Sequence, residues 1–135
     1  MSFTDAVRIC VRDKYATFDG RAGLREYWWF FLATYVIGAA GYVVALILLA
    51  FAGIDNFIGV LFRIALILWW IVFIVVAVGL IVPMLAVTAR RLHDTGKSGW
   101  MQLLFFIPCV GWIIMIIFCV QQGTPGDNAY GAKSE

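Results

Sequence analysis

Arg90, Arg91, His93, Asp94 and Lys97 fall within one short stretch, ARRLHDTGKSGW (89–100), with long apolar sequence on either side. Three chemistries suit such residues. Gly96-Lys97-Ser98 resembles the end of a phosphate loop, but that motif needs a glycine five positions before the second glycine, so that backbone amides can wrap the phosphate. Arg91 stands there, and the preceding residues read as a membrane helix rather than a strand of a soluble sheet. Base catalysis by His93 would need a nucleophile, an orienting group and a pocket that excludes water. Asp94 is its chain neighbour, and adjacent residues on a helix do not face one another. The pattern therefore assigns no catalytic residue. The third chemistry is electrostatic. Arg90, Arg91 and Lys97 at a bilayer surface would each gain about 1 kcal/mol from anionic lipid. Asp94 offsets part of that charge, Gly96 and Gly99 let the chain reverse, and Trp100 suits the headgroup layer.

The elements that hold this loop are legible from charge. No Lys, Arg, Asp or Glu occurs from 27 to 54, from 64 to 89 or from 98 to 126. Each run exceeds the roughly 20 residues a helix needs to cross a hydrocarbon core. With 64% hydrophobic and 13% charged residues, the composition excludes an ordinary soluble domain, for which about 45–50% and 25% are usual. The expected fold is all-α: an integral membrane helical bundle with three transmembrane helices, spanning about 28–53, 64–88 and 100–121. Residues 1–26 form a basic leader, 89–99 a loop and 122–135 a polar tail. The first run begins too far from the N-terminus and is too long for a signal peptide, whose apolar region is about 7–15 residues.

Lys and Arg set the orientation. Arg8, Arg12, Lys14, Arg21 and Arg25 lie in the leader and Arg90, Arg91 and Lys97 in the 89–99 loop, against Arg63 and Lys133 elsewhere. The positive-inside rule puts the leader and that loop in the cytoplasm, and three crossings would leave the tail outside. Pro108 and Gly111 interrupt the third run; a re-entrant hairpin is the alternative, permitted where protein buries the freed backbone. A full crossing is the expectation, since membrane helices tolerate both residues.

In the leader, Phe3, Val7, Cys10, Val11, Lys14 and Phe18 recur at helical spacing, and Ser2 with Asp5 suits a capping box. The expectation is a short amphipathic helix lying in the interface. Thr34, Gly38, Gly41 and Ala45 place small side chains on one stripe of the first span, a close-packing face for another helix of this chain or of a second copy. Arg63 should snorkel to the headgroups beside Asp55. Cys10, Cys109 and Cys119 form no C-x-x-C pair and read as buried small hydrophobes, so neither metal nor cofactor is assigned. A net charge of +2 gives no footing for nucleic acid.

FDGRAGLREYWWF, then ARRLHDTGKSGW, a third run containing Pro-x-x-Gly, and finally GTPGDNAYG, in that order, resemble the YhaH/YhaI-type bacterial inner-membrane family, a domain of unknown function. The resemblance covers roughly residues 14–131. Gly23 and Leu24 depart from the serine and basic residue usual there, and Ala132-Lys133 from the usual proline after the final glycine. The resemblance implies a multi-pass protein of the bacterial inner membrane and supplies no biochemical activity. The expected role is non-enzymatic: an accessory protein of envelope or membrane homeostasis, with a second copy of itself (a homo-oligomer) or another inner-membrane protein as the candidate protein partner. Arg21, Glu26, Tyr27, Trp28, Arg90, Arg91, His93, Asp94, Lys97 and Trp100 are its candidate contacts with anionic lipid or a partner, and Arg21, Glu26, Arg90, Arg91 and Asp94 the candidate members of a charge network. An oligomeric channel, transporter or regulator of ion balance is the alternative.

Overall fold

The computed structural model describes residues 1–134, all helical apart from turns and one isolated bridge between Asn128 and Gly131. Helix α1, Phe3–Arg8, starts in the expected capping box, with the Ser2 hydroxyl accepting from the Asp5 amide and the Asp5 carboxylate accepting from Ser2. It runs on into a π-helical turn, Ile9–Asp13, closed by Lys14 N–H donating to the Ile9 carbonyl at 2.7 Å. Ala6 and Cys10, one helical turn apart, are its buried residues, while Phe3, Val11 and Phe18 remain exposed.

Two long helices follow, α2 (Leu24–Ala52) and α3 (Phe57–Asp94). At 1.5 Å per residue they rise about 44 and 57 Å, against a hydrocarbon core near 30 Å. Both are long and apolar enough to cross a membrane, and their outward residues are Val, Ile, Leu, Tyr and Trp left open. In water so much exposed apolar surface would drive association; in lipid it is the expected coat.

Two compact units divide these helices: Met1–Leu32 with Ile81–Glu135, and Ala33–Leu80. In the second, Asn56 caps α3 by accepting from the Gly59 amide at 3.1 Å. Gly41 lies against the Phe73 ring, and its carbonyl accepts from the Trp69 indole at 3.1 Å. The small stripe is therefore used within the chain at Gly41, and Ala45 is buried on it; Thr34 is half-buried, and the space around Gly38 is open. Arg63 donates to the Ala52 carbonyl at 2.9 Å and pairs with the exposed Asp55 at 3.5 Å.

The third apolar run departs from the expected single helix. It forms a 3₁₀ helix, Gly99–Phe106, and a separate helix α4, Val110–Val120. The break is a γ-turn in which the Val110 amide donates to the Pro108 carbonyl at 2.7 Å, with Cys109 at φ 62°. That backbone region is rarely used by a residue with a side chain. Cys109 is exposed at this tip, whereas Cys10 and Cys119 are buried, so the expectation of three buried cysteines holds for two. A Cβ on Gly111 would lie 1.8 Å from the Leu104 carbonyl oxygen, so the arms close only with glycine there. Both arms return to the end of α3. Gly99 is buried beside Ala89 and His93, and Lys97 Nζ reaches the Gln121 side chain at 2.9 Å. This is a helical hairpin, the arrangement that Pro108 and Gly111 left open.

Candidate functional site

Within the first unit, five charged side chains that lie up to 73 residues apart in sequence are buried together: Arg21, Glu26, Arg90, Arg91 and Asp94. Each owes its place to a helix end. Arg90, Arg91 and Asp94 occupy the last turn of α3, Glu26 the first turn of α2, and Arg21 the segment leading into it. Asp94 is the centre. Its Oδ1 accepts from Arg21 Nε at 2.8 Å and from the Ser134 hydroxyl at 2.5 Å, and its Oδ2 from Arg91 Nη1 at 2.5 Å. Glu26 pairs separately with Arg90.

Three guanidiniums face two carboxylates, and backbone carbonyls take up the excess. Arg91 donates to the carbonyls of Cys119 (3.1 Å) and Gln121, and to that of Ala22 at 3.3 Å. Arg21 donates to the carbonyls of Gly126 (2.7 Å) and Thr124 (2.9 Å). The last carbonyls of a helix have no partners inside it and carry partial negative charge. Arg91 therefore caps α4 with a cation while Asp94 neutralises it, and one side chain ties the hairpin's return to α3. Arg90 Nε, by contrast, is buried without a partner among the described residues.

The tail closes over this cluster. Thr124 N–H donates to the Asp94 carbonyl at 2.9 Å, and Asn128 Nδ2 to the His93 carbonyl at 2.9 Å. A Cβ on Gly123 would fall 2.1 Å from Asp94 Oδ2, so only glycine lets the chain pass so near the carboxylate. His93 lies flat on the Tyr130 ring, centroids 3.9 Å apart, with Nδ1 3.1 Å from the Gly20 carbonyl. A carbonyl can only accept, so Nδ1 carries the proton. Imidazole supplies a flat face and a lateral donor together, which accounts for a histidine at this position.

Cys10 also belongs here, its sulfur 3.9 Å from both Glu26 Oε1 and Arg90 Nη2. Burial first, and the Glu26 carboxylate second, push its thiol up to about 11. It is a closed, protonated thiol at neutral pH, unsuited to nucleophilic chemistry.

The ten residues expected to meet lipid or a partner thus divide. Arg21, Glu26, Arg90, Arg91 and Asp94 have their charged ends engaged inside the protein, and Tyr27 is buried; none offers a headgroup its charge. His93 is half-buried under Tyr130. Lys97 lies over the Phe118 ring at 4.7 Å. Trp100 is open, with 77% of its surface exposed, and Trp28 is partly so. The residues that sequence reasoning missed are Cys10, Gly123, Thr124, Asn128, Tyr130 and Ser134. A signal existed for four of them: GTPGDNAYG is too rich in turn-forming residues to be a featureless tail.

A helical chain with two membrane-length helices, an apolar hairpin and a charge cluster closed at their shared end is an α-helical membrane protein. A family described as a protein of unknown function (DUF805) matches residues 15–132, and the chain belongs to it. Over 124 residues it is 37% identical to inner membrane protein YhaI of Escherichia coli strain K12, covering 91% of this chain and 90% of that protein. Inner membrane protein YhaH of the same strain is 37% identical over 126 residues, covering 90% and 89%. No solved structure matches the chain.

Proposed function

We propose that this protein is a non-enzymatic accessory protein of the bacterial inner membrane, with two crossings, α2 and α3, and a re-entrant hairpin in the cytoplasmic leaflet. Eight residues of 3₁₀ helix and eleven of α-helix each rise about 16 Å, half of a core near 30 Å. Leader, loop and tail then all lie on the cytoplasmic side, which the Lys and Arg distribution favours. The observation that carries the reading is the buried cluster, where Arg21, Arg91 and Asp94 bind the leader, α3, α4 and the tail at one end. Charges so committed position a surface rather than perform a reaction. The surface they position includes Trp100, Phe106 and Trp112, which are open, together with the leader helix. Its role is to contact lipid, or a membrane partner, in the upkeep of envelope and membrane state.

Topology is tested by fusing a green fluorescent protein or alkaline phosphatase after the tail. Fluorescence without phosphatase activity is expected; the converse would restore a third crossing. For the role, cells lacking the protein are complemented at matched abundance with wild type or Trp100→Ala/Phe106→Ala. Envelope permeability and membrane potential are then measured. The expected result is a permeability defect that wild type rescues and the double variant does not. A defect confined to potential would transfer support to regulation of ion balance, and normal values in every strain would refute the homeostatic role.

A further inference from the structure

Beside the charge cluster, where the tail passes the start of α2, lies a cleft of about 450 Å³, within the size range of small-molecule sites. Its wall holds Arg21, Arg25, Arg91 and Lys133, with Asp94 as the carboxylate among the described residues. Asp94 has both oxygens taken by Arg21, Arg91 and Ser134. Those two arginines are spent with it. Arg25 and Lys133 are exposed and, among the described residues, face no carboxylate that is still open in this cleft.

Gly23, Leu24 and Arg25 also line it; Gly23 immediately precedes a 29-residue helix that Leu24 and Arg25 begin. The first amides of a helix lack partners within it and carry partial positive charge; Gly23 has no side chain to cap them. Among the described residues, a cavity, two cations with no carboxylate partner and the first amides of a helix thus converge. We propose that the cleft binds a phosphate group, with Arg25 and Lys133 as its charged clamps and the first-turn amides of α2 as its backbone donors. Phosphate matches this set because its several anionic oxygens accept from a guanidinium, an ammonium and amides at once. Arg25 stands two residues before the apolar run of α2 begins, the level of lipid headgroups, so the group can come from an anionic glycerophospholipid or from soluble phosphate. Only the lipid source rests on the lipid-contact reading above.

The test uses the full chain and Arg25→Gln/Lys133→Gln, two exposed positions whose replacement should leave thermal unfolding unchanged, with Lys97→Gln as a control cation. One arm reconstitutes each protein in nanodiscs of equal phosphatidylglycerol and phosphatidylcholine and counts retained lipids by native mass spectrometry. The other titrates inorganic phosphate into detergent-solubilised protein by calorimetry. Two interfacial cations predict a loss of roughly thirtyfold in the double variant, with Lys97→Gln at wild-type level. Selective retention of phosphatidylglycerol without phosphate binding identifies a lipid phosphate; phosphate binding with equal retention of both lipids identifies a soluble one. The proposal is overturned if wild type binds neither selectively, or if the double variant binds as wild type does. A loss in Lys97→Gln alone would overturn it too while leaving the loop's lipid contact standing.

Discussion

Asp94→Asn should be the most damaging isosteric change in this protein. The residue is 2% exposed and faces Arg21 and Arg91, which are 7% and 0% exposed. With three guanidiniums and two carboxylates, the cluster has a net charge of +1, and Asp94→Asn raises that to +2 where burial leaves the charges weakly screened. Removing one partner of a buried pair typically costs about 3–5 kcal/mol. Asp94 serves two arginines, so the upper part of that range applies, a factor of roughly 10³ in the folded population. Arg21→Gln should cost less, since it leaves Asp94 still paired with Arg91. In the double variant the net charge returns to +1, and the total should fall short of the sum of the singles by about 2 kcal/mol. The buried thiols of Cys10 and Cys119 supply the assay. In a Cys109→Ser background, alkylation against temperature or denaturant in detergent reports opening of this unit. Effects that add to within about 0.5 kcal/mol would refute direct coupling of Arg21 to Asp94.

Gly123→Ala brings a methyl against a carboxylate that is held on both oxygens. It should cost about 1–3 kcal/mol in the same assay and less in an Asp94→Ala background, where the obstructing oxygens are gone. Gly111→Ala would meet the Leu104 carbonyl at 1.8 Å; the arms must part, and protease protection of the hairpin should fall while that of α2 is retained. The Cys10 thiol is raised from 9.0 to about 11, so folding favours the protonated form. Its contribution is complete below pH 9 and is lost as pH rises through 11. Native alkylation of Cys10 should stay slow at pH 9 and accelerate toward pH 11, and an ordinary thiol profile would count against its burial. Asp55→Asn removes a pair whose side chains are 52% and 99% exposed, and unfolding should shift by less than about 1 kcal/mol.

Hydropathy and charge carried the reading of α2 and α3, because a helix facing lipid must be apolar for its whole length. The 98–126 run shows the limit of that logic. A crossing helix and a hairpin inside the membrane demand the same residue types, so Pro108 and Gly111 mark a break without saying whether the chain turns back. The deciding features, φ at Cys109 and the close approach of Gly111 to Leu104, are matters of backbone geometry that residue type alone does not encode. The cluster was half legible. Residue types and membrane side bring Arg21, Glu26, Arg90, Arg91 and Asp94 to one end, but which way they point depends on what covers them. The cover is the tail, and its fold depends on Gly123 clearing a carboxylate 29 residues earlier in the chain.

Arg21 precedes its carbonyl acceptors Thr124, Gly126 and Gly131 by 103, 105 and 110 residues. During synthesis Arg21 and Arg91 must wait, charged and short of their final partners, until residues 119–131 have emerged. A chain cut short before residue 124 would still carry both long helices and could enter the bilayer, but it would display an unsealed cationic end. Closure of the cluster is thus tied to the order of translation, and a protease that surveys membrane proteins would have a plain mark by which to tell chains that have closed it from fragments that stop before residue 124.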